Sequence, residues 1–494
     1  MTRWRGWFVA TLLATLTIVV MARDAGAASQ ASEALKGRIE AAMDRWPYNF
    51  YQRSGPVVVR EEGDAFAITI PGVALSAPDG GGLDIGDVAI LARPLGDDRF
   101  DVSIALPKTM AIEDKAGTIV GFVVIERQRF KGVFVPSLKS LIETEASYGN
   151  IWFTRPGARP SARLATLEMH ARLDEVASGR WSGPSTVIAR DFAVDSDDAG
   201  RLVIDEIRIV TKVAKMRLAE MARFMDKSPA SAAGGGAPAQ WSDPAAALSF
   251  FGDMPSFYDG MSMDVSVSGI AADDSEGARA FTLDRAFYKL SLDDLDQALA
   301  RFSFRYEHSG LAVTDAGELG EDFVPERAVL DFGAINVPAE DLKRSFLKLA
   351  DPKMRANPDL AQAMLANQMS AAALKAKTEL RVRAINVEAP ALGMTTEGMI
   401  KGDPGAAMSA TGWLEVVIRG LDAAIEKLAT MPDRQTAAQS QGMAQFIAGL
   451  GVIDSDENGA KVRRYRFELT PEGKLLLNGT DFKQLLGAMM APKQ

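Results

Sequence analysis

The feature that most constrains this fold is an alternation of apolar and polar side chains with a period of two residues. In the run RYRFEL at 464–469, every second residue is aromatic or aliphatic and the residues between them are charged. Because successive side chains of a strand point to opposite faces of a sheet, this run predicts a strand with one buried face. The turn TPEG at 470–473 and the return run at 475–477 complete a predicted β-hairpin.

The same alternation, or a run of β-branched and apolar residues, recurs in both halves of the chain. It predicts further strands at 66–70, 83–91, 100–106, 118–130, 151–153, 163–173, 187–194, 201–210, 261–268, 302–306, 378–387 and 412–419. Apolar residues at helical spacing predict helices at 32–46, 136–146, 213–225, 421–428 and 443–450, with two more within 338–375. The predicted fold class is α+β, with long, mainly antiparallel curved β-sheets arranged as a meander and amphipathic helices packed on one face.

Composition divides the chain into two parts. Segment 227–247 combines three consecutive glycines with three prolines and many alanines, which is too little apolar material to hold a packed structure. The sequence therefore predicts an N-terminal β-rich α+β domain at 28–226, a flexible Ala/Gly/Pro linker at 227–247 and a C-terminal α+β domain at 248–494. Both halves share an order of strands, helix and strands, which leaves an ancient duplication open.

The N-terminus has the organisation of a Sec-type signal peptide. Arg3 and Arg5 precede an apolar run at 7–21, and the small residues at 25–27 supply a cleavage site. The apolar run is short for a membrane-spanning helix, which needs about 20 residues. We therefore expect a cleaved signal peptide at 1–27 and a periplasmic protein. An uncleaved N-terminal segment that anchors the protein in the inner membrane is the alternative.

Composition also narrows the classes of function. The formal net charge is -10, and this acidic balance argues against nucleic-acid binding, which needs a concentrated basic face. The chain has no cysteine, which excludes disulfides, thiolate metal sites and a cysteine nucleophile. A zinc site would depend on the two histidines, His170 and His308, together with carboxylates, which is a poor supply of ligands.

Two acidic turns partly match the calcium-binding loop of EF-hand proteins. The first, 454–459, has Tyr465 at the twelfth position, where a bidentate Glu is required. The second, 195–200, has Glu206 at the twelfth position but Ala199 where an oxygen ligand belongs. Because Asp, Asn and Gly also form ordinary hairpin turns, we interpret both as turns and keep weak ion binding as the alternative.

No motif identifies a catalytic centre. Ser345 and Lys348 have the spacing S-x-x-K but lack the partner motifs of the serine enzymes that use it. His170 is on the polar side of the 163–173 alternation and His308 precedes a Ser-Gly turn, so we expect both to be solvated. Paired-carboxylate chemistry stays open because Asp and Glu are plentiful, although no pair is singled out. We assign no catalytic, cofactor-binding or metal-binding residue from the sequence.

Methionines and one basic segment are candidate binding surfaces. Many of the 21 methionines fall on predicted helices or strand faces: Met216, Met221, Met225, Met261, Met263, Met364, Met369 and Met443. Their flexible thioethers suit an adaptable apolar groove, although core packing is the interpretation that we favour. The segment from Lys212 to Arg223 predicts a basic helix, for which a solvated face is favoured over contact with an anionic membrane.

The C-terminal part carries an ordered set of strands and turns. It includes LRV at 380–382, ALG at 391–393, the DPG turn at 403–405, the strand 414–418, GLG at 449–451, YRFEL at 465–469 and LNG at 477–479. In this order it resembles a family of uncharacterised alphaproteobacterial envelope proteins grouped as domain of unknown function 2125, which implies no activity and no catalytic residues. More distantly, the chain is similar to AsmA-like β-rich envelope proteins, whose long curved sheets are associated with lipid handling.

We therefore expect an exported envelope protein that is more a binding protein than an enzyme. The expected site is a groove between sheet and helices for an apolar or amphipathic, lipid-like ligand, or for an envelope protein partner. A carboxylate-based extracytoplasmic hydrolase and a purely structural or assembly protein are the alternatives. An acidic cluster inside a polar cleft would favour the enzyme, and an elongated apolar groove would favour the binder.

Overall fold

The computed structural model describes residues 28–44, 51–76, 81–156, 160–196, 200–227, 257–315, 320–341, 344, 358–429, 434–456 and 459–485. The predicted signal peptide, the predicted linker beyond Lys227 and the pair Ser345 and Lys348 lie outside these residues. The chain divides into two compact units: Met1–Val194 with Val210–Tyr258, and Asp195–Ile209 with Asp259–Gln494. The second unit therefore includes a segment from within the predicted N-terminal domain.

The first unit consists of antiparallel strands that mostly pair in chain order. Its elements are α1 (Ala28–Asp44), β1 (Tyr51–Gln52), β2 (Val58–Glu62), β3 (Ala65–Ser76), β4 (Gly82–Gly96), β5 (Arg99–Ala105), β6 (Thr109–Glu113), β7 (Ile119–Val135), β8 (Ser140–Thr154), β9 (Pro160–Arg172), β10 (Asp174–Ala177), β11 (Arg180–Ser196), the end of β12 (Gly200–Met216) and α2 (Leu218–Lys227). The pairing order is β2–β3–β4–β5–β7–β8–β9–β11–β10. β1 also pairs with β3, and β6 pairs with both β4 and β7.

Alternate residues of these strands are buried and form the hydrophobic core of the first unit. Ile68 and Ile70 of β3 are buried, and Phe134 of β7 is 0% exposed. Helix α1 packs against β2 and contributes Leu35 and Ile39, which lie on one helix face because they are four residues apart. Burial this complete is the ordinary condition of a protein interior packed at crystal-like density.

Of the helices predicted in this unit, one is wrong and one begins later than predicted. The segment predicted as a helix at 136–146 forms a single 3₁₀ turn, Pro136–Leu138, after which the left-handed Lys139 (φ 49°) leads into β8. β8 then pairs with β7 along its length, and these cross-strand contacts outweigh the local helical spacing. The helix predicted at 213–225 begins only at Leu218, because β12 continues to Met216.

The basic helix predicted from Lys212 to Arg223 is therefore not a single helix. Lys212 and Lys215 lie on β12, where the backbone N–H of Lys215 donates to Ser182 Oγ at 2.8 Å. Helix α2 instead packs on one side of a second, small hydrophobic core. Its fully buried Leu218 packs with Trp181, and Met216 and Met221 pack against the same cluster. These two methionines fill a core, as the favoured interpretation predicts.

The second unit is an antiparallel meander with helices inserted between some of its strands. Its elements include the start of β12, then β13 (Gly260–Asp273), β14 (Arg279–Asp293), β15 (Ala300–Ser309), β16 (Ala312–Val313), β17 (Arg327–Val337), α3 (Pro358–Ala376), β18 (Glu379–Glu388), β19 (Gly393–Gly402), β20 (Ala410–Arg419), α4 (Leu421–Ala429), α5 (Arg434–Leu450), β21 (Val452–Ser455), β22 (Lys461–Leu469), β23 (Leu475–Leu477) and β24 (Thr480–Asp481). The pairing order is β13–β14–β15–β17–β18–β19–β20–β22. β21 and β23 both pair with β22.

The predicted α+β, mainly antiparallel meander is confirmed, and the final hairpin lies where its alternation predicts it. Helix α3 packs against β17 and β19, and α4 packs against α5. Among the described residues, no helix combines the length and apolar character needed to cross a lipid bilayer.

Candidate functional site

The second unit carries a broad apolar surface on one face of its meander. Cross-strand register aligns side chains from eight strands in four rows, which together we call the apolar face. Row 1 is Met261, Leu292, Phe302, Ala334, Leu380, Ile400, Gly412 and Leu469. Row 2 is Met263, Leu290, Phe304, Phe332, Val382, Gly398, Leu414 and Phe467. Row 3 is Val265, Tyr288, Tyr306, Leu330, Ile385, Thr396, Val416 and Tyr465. Row 4 is Val267, Ala286, His308, Ala328, Val387, Met394, Ile418 and Arg463.

Aromatic side chains make the centre of the apolar face continuous. The Phe304 ring stacks on the Phe332 ring with centroids 4.6 Å apart. On the neighbouring strand, the Tyr288 ring packs edge-on against Phe304, with ring centroids 5.2 Å apart. Phe302 lies 6.3 Å from the same Phe332 ring. These separations are those of favourable aromatic pairs, so adjacent strands contribute to one surface.

The apolar face is much less buried than the core of the first unit. Most of its side chains are half-buried, and Phe332 and Leu380 are 39% and 53% exposed. At about 3.4 Å per residue and about 4.8 Å between strands, the four rows and eight strands span roughly 20 Å by 34 Å. Even with half of that area covered, about 340 Å² stays open, which is the size of the largest apolar patch on a typical monomer (roughly 300–600 Å²), and such a patch is often functional.

The opposite face of the same sheet is charged and internally paired. Arg305 donates to Asp331 at 3.0 Å and to Glu307 at 2.9 Å, and Arg383 reaches Asp331 at 2.6 Å. Near β22, the Arg466 guanidinium lies 5.4 Å from the Trp413 ring centroid. These charged residues make this face polar, so the meander is polar on one side and apolar on the other.

Polar groups on the apolar face are confined to rows 3 and 4. His308 lies on it, with Nε2 3.1 Å from the carbonyl oxygen of Pro325 and Nδ1 3.1 Å from Tyr306 Oη. Because a carbonyl oxygen only accepts, Nε2 donates the hydrogen bond to Pro325. The prediction that His308 is solvated is therefore wrong: the ring is half-buried and both nitrogens have partners.

Arg463 is the one charged side chain in the four rows. Its Nη1 donates to the carbonyl oxygen of Ala448 at 2.6 Å and its Nη2 to Asp422 Oδ1 at 2.8 Å, which ties β22 to α4 and α5. Neighbouring Tyr465 is buried over Gly451, and desolvation raises the pKa of its hydroxyl. Within the described residues, Tyr465 Oη and Arg463 Nε make no hydrogen bond.

The Asp422 contacts predict a pH dependence of stability. Hydrogen bonds from Lys461 and then Arg463 hold the pKa of the Asp422 carboxyl below its usual range. A lowered folded-state pKa stabilises the fold above the unfolded-state value of about 3.9, and the contribution is lost as the pH falls through the folded-state value. We expect Asp422→Asn to lower the free energy of unfolding at pH 7 by up to about 1 kcal/mol, because the pair is partly exposed and screened.

Urea unfolding at pH 7 and at about pH 3 checks this expectation. The difference between the parent protein and Asp422→Asn should shrink at the lower pH, where the carboxyl becomes protonated. Glu468→Gln is the control: Glu468 lies on β22, the strand that carries Lys461 and Arg463, and it makes no ion pair among the described residues. An undiminished difference at acidic pH would mean that the effect is not electrostatic.

The first unit has a separate polar cleft of about 460 Å³. Cross-strand register aligns Lys131, Glu145, His170 and Thr186 along its floor. The next row places Val133 between Asp101 and Glu143, with Arg172 beyond them. His170 is exposed, in agreement with its predicted position on a polar face, and so are Lys131, Glu143, Glu145 and Arg172. The cleft thus combines opposite charges in contact with solvent.

The acidic turns form local hydrogen bonds where they are described. Asp454 Oδ2 accepts from Arg464 at 3.2 Å, and Asp456 Oδ1 accepts from the N–H of Ala460 at 2.8 Å. In the other turn, Asp195 pairs with Arg201 at 3.5 Å. Over the part of the chain that is described, no group of three or more His, Asp or Glu side chains is placed to hold a metal ion.

The methionines that the sequence marked as candidates for an apolar groove lie in several different environments. Met261 and Met263 lie on the apolar face, whereas Met364 and Met443 are exposed on helices.

The sequence also indicated that His308 lies on the apolar face, since it continues the alternation of Phe302, Phe304 and Tyr306. No local signal marks the polar cleft, because its residues come from strands that only the pairing register brings together.

Comparison of the chain with protein-family models, with curated proteins and with solved structures finds no match.

Proposed function

We propose that this protein binds an amphipathic, lipid-like ligand on the apolar face of its second unit, and that it does so as an exported envelope protein. The observation that carries the proposal is the set of four cross-strand rows whose apolar side chains stay half-buried. Covering such side chains is favourable by about 25 cal/mol per Å² of apolar surface removed from water. An acyl chain laid on the face would gain this free energy.

The distribution of polar groups supports an amphipathic ligand over a purely apolar one. Rows 1 and 2 contain no polar side chain, whereas rows 3 and 4 contain the hydroxyls of Tyr288 and Tyr306, the His308 imidazole and the Arg463 guanidinium. A ligand whose acyl chain lies along rows 1 and 2 would place its polar end beside these groups. Ligand sites commonly combine an apolar lining with a few polar groups in this way.

The proposed export and envelope location are supported by the N-terminal sequence. The basic start, the apolar run and the small residues at 25–27 are typical of a Sec-type signal peptide. The resemblance of the C-terminal part to envelope proteins supports the same location. A lipid-like ligand is consistent with it, because such molecules are abundant wherever membranes enclose the compartment.

Native mass spectrometry of the mature protein, purified from its own envelope fraction, tests the proposal. We expect a mass above the calculated value, with lipid released when the protein is denatured. The protein at its calculated mass, combined with failure to retain an added fatty acid, would overturn the proposal.

A carboxylate-based hydrolase is the second candidate, and the polar cleft is the observation that favours it. Asp101, Glu143 and Glu145 share this cleft with His170. Glu143 and Glu145 are two residues apart on one strand, so both carboxyls are on the same face of the sheet, and most glycosidases use a pair of Asp or Glu residues. Hydrolysis of a glycoside panel by the purified protein, abolished in Glu145→Gln, would assign the function to the cleft.

A further inference from the structure

Three polar side chains of the apolar face lie together on two neighbouring strands, β14 and β15. Tyr288 and Tyr306 are directly opposite each other in row 3. His308 follows in row 4, where its cross-strand partners are Ala286 and Ala328. These alanines place only methyl groups on either side of the imidazole, so the face is shallow there. We call this region the polar corner.

The two hydroxyls of the polar corner can accept hydrogen bonds from a ligand. His308 Nε2 donates to Pro325, so when the ring is neutral Nδ1 has no hydrogen and accepts from Tyr306 Oη. Tyr306 Oη then offers a ligand only its lone pairs. Tyr288 Oη has no hydrogen-bond partner among the described residues and can donate or accept. A ligand group that donates a hydrogen bond therefore suits both hydroxyls, whereas a carboxylate, which only accepts, suits Tyr288 alone.

Carboxylates border the polar corner on the side away from row 3. Asp284 is two residues before Ala286 on β14, so it lies on the same face of the sheet, one row beyond row 4. Its carboxyl group lies against Gly310, two residues after His308, and a Cβ at Gly310 would collide with it. Asp284 is exposed and makes no hydrogen bond or ion pair within the described residues. Exposed Glu326, directly after Pro325, adds a second carboxylate nearby.

The arginines closest to the polar corner along β14 and β17 belong to the opposite, charged face. The guanidinium carbon of Arg285 lies 5.8 Å from the Phe287 ring centroid, and Arg327 Nη2 lies 3.8 Å from Glu307 Oε1. Arg463 is five strands away from β15, which is roughly 24 Å, and both of its Nη atoms already donate hydrogen bonds. A ligand group at the polar corner would therefore meet negative charge, which favours a cation and disfavours an anion.

We propose that the amphipathic ligand carries a polar group that donates hydrogen bonds and has no negative charge, either a hydroxyl or an ammonium. This group lies over Ala286, between the tyrosine hydroxyls and Asp284, and the acyl chain runs towards rows 2 and 1. The inference rests on the function proposed above and names the polar chemistry of its ligand. A carboxylate or phosphate in the same place would face the Tyr306 lone pairs and the Asp284 charge in a partly desolvated site, where an unpaired charge is costly.

The test compares three ligands that share a decyl chain and differ only in the polar group: decylammonium, decanol and decanoate. Each displaces a bound fluorescent fatty acid from the purified mature protein, at pH 8 so that histidine side chains are neutral. We expect decylammonium and decanol to act at concentrations about tenfold or more below that of decanoate. A lower concentration for decylammonium than for decanol would identify the ammonium, and equal concentrations the hydroxyl. Decanoate that acts at the same concentration as both, or at a lower one, would overturn the inference.

Asp284→Asn removes one carboxylate from the polar corner, and Asp264→Asn is the matched control. Asp264 is on the neighbouring strand β13 but on the charged face, 3.6 Å from Lys289, so both variants change the net charge equally. We expect Asp284→Asn to reduce the preference for decylammonium over decanoate about threefold or more, and Asp264→Asn to leave it unchanged. An equal change in both variants, or none in Asp284→Asn, would overturn the inference.

The two proposals fail in different ways in this experiment. Equal affinities for the three decyl ligands would overturn the inference and leave the proposed function standing, because all three would still bind through their chains. A parent protein that binds neither the fluorescent probe nor any decyl ligand would overturn the proposed function, and the inference with it.

Discussion

Phe134→Ala is expected to lower the free energy of unfolding of the first unit by about 3–5 kcal/mol. The Phe134 side chain is fully buried, and it lies opposite Phe100 on β5 and Leu141 on β8. Its removal loses the transfer free energy of the ring and leaves a cavity that rigid strand pairing on both sides cannot close. Urea unfolding followed by circular dichroism measures the change.

The informative control is Phe304→Ala in the second unit. Phe304 is also a phenylalanine in the middle of an antiparallel sheet, but it is half-buried. Without ligand, its loss should cost about 1 kcal/mol, since little cavity is formed where the side chain already meets water. If both variants lose the same free energy, the apolar face is packed as tightly as the first core, and the proposed binding surface is excluded.

Phe304→Ser is expected to weaken binding of a fluorescent fatty acid by about tenfold or more, which corresponds to about 1.4 kcal/mol. Phe304 is stacked on Phe332 and meets Tyr288 edge-on, so its loss interrupts the apolar surface at its centre. A hydroxyl at this position would also have to be desolvated beneath an acyl chain. Fluorescence titration of the purified protein measures the affinity.

Phe287→Ser is the matched control for this binding experiment. Phe287 is a half-buried phenylalanine on the neighbouring strand β14, but it lies on the charged face. There the guanidinium carbon of Arg285 lies 5.8 Å from the centroid of its ring. The two substitutions therefore remove the same side chain from opposite faces of one sheet. Equal losses of affinity would show that the ligand depends on the integrity of the sheet and not on the apolar face.

The sequence predicted strands and their faces well where alternation is regular. The run Met261, Met263, Val265 and Val267 lies on one face, as its spacing requires, and the last hairpin agrees with the structure. Alternation depends on a local rule, the period of two, and this rule holds whatever the partner strand is. The polarity of the two faces could therefore be assigned without knowledge of the pairing.

Prediction failed where a distant partner decides the local structure. Residues 140–146 have apolar spacing that suits a helix, yet pairing with β7 makes them a strand. The stacking of Phe304 on Phe332 could not be predicted either, because the register of β15 against β17 decides which residues face each other, and no local pattern specifies it. The polar cleft depends on register across several strands, which no single stretch of sequence specifies.

The order of the meander has a kinetic consequence. β13, β14 and β15 are joined by short connections, whereas β20 meets β22 only after α4, α5 and β21 have been added to the chain. The entropy lost on closing a loop grows with its length, so contacts between distant segments form slowly. We therefore expect the sheet to grow from its N-terminal strands and to gain β22 last. Nascent second units would then expose a partly built hydrophobic sheet, whose unpaired β20 edge is open to misassembly with other chains until β22 covers it.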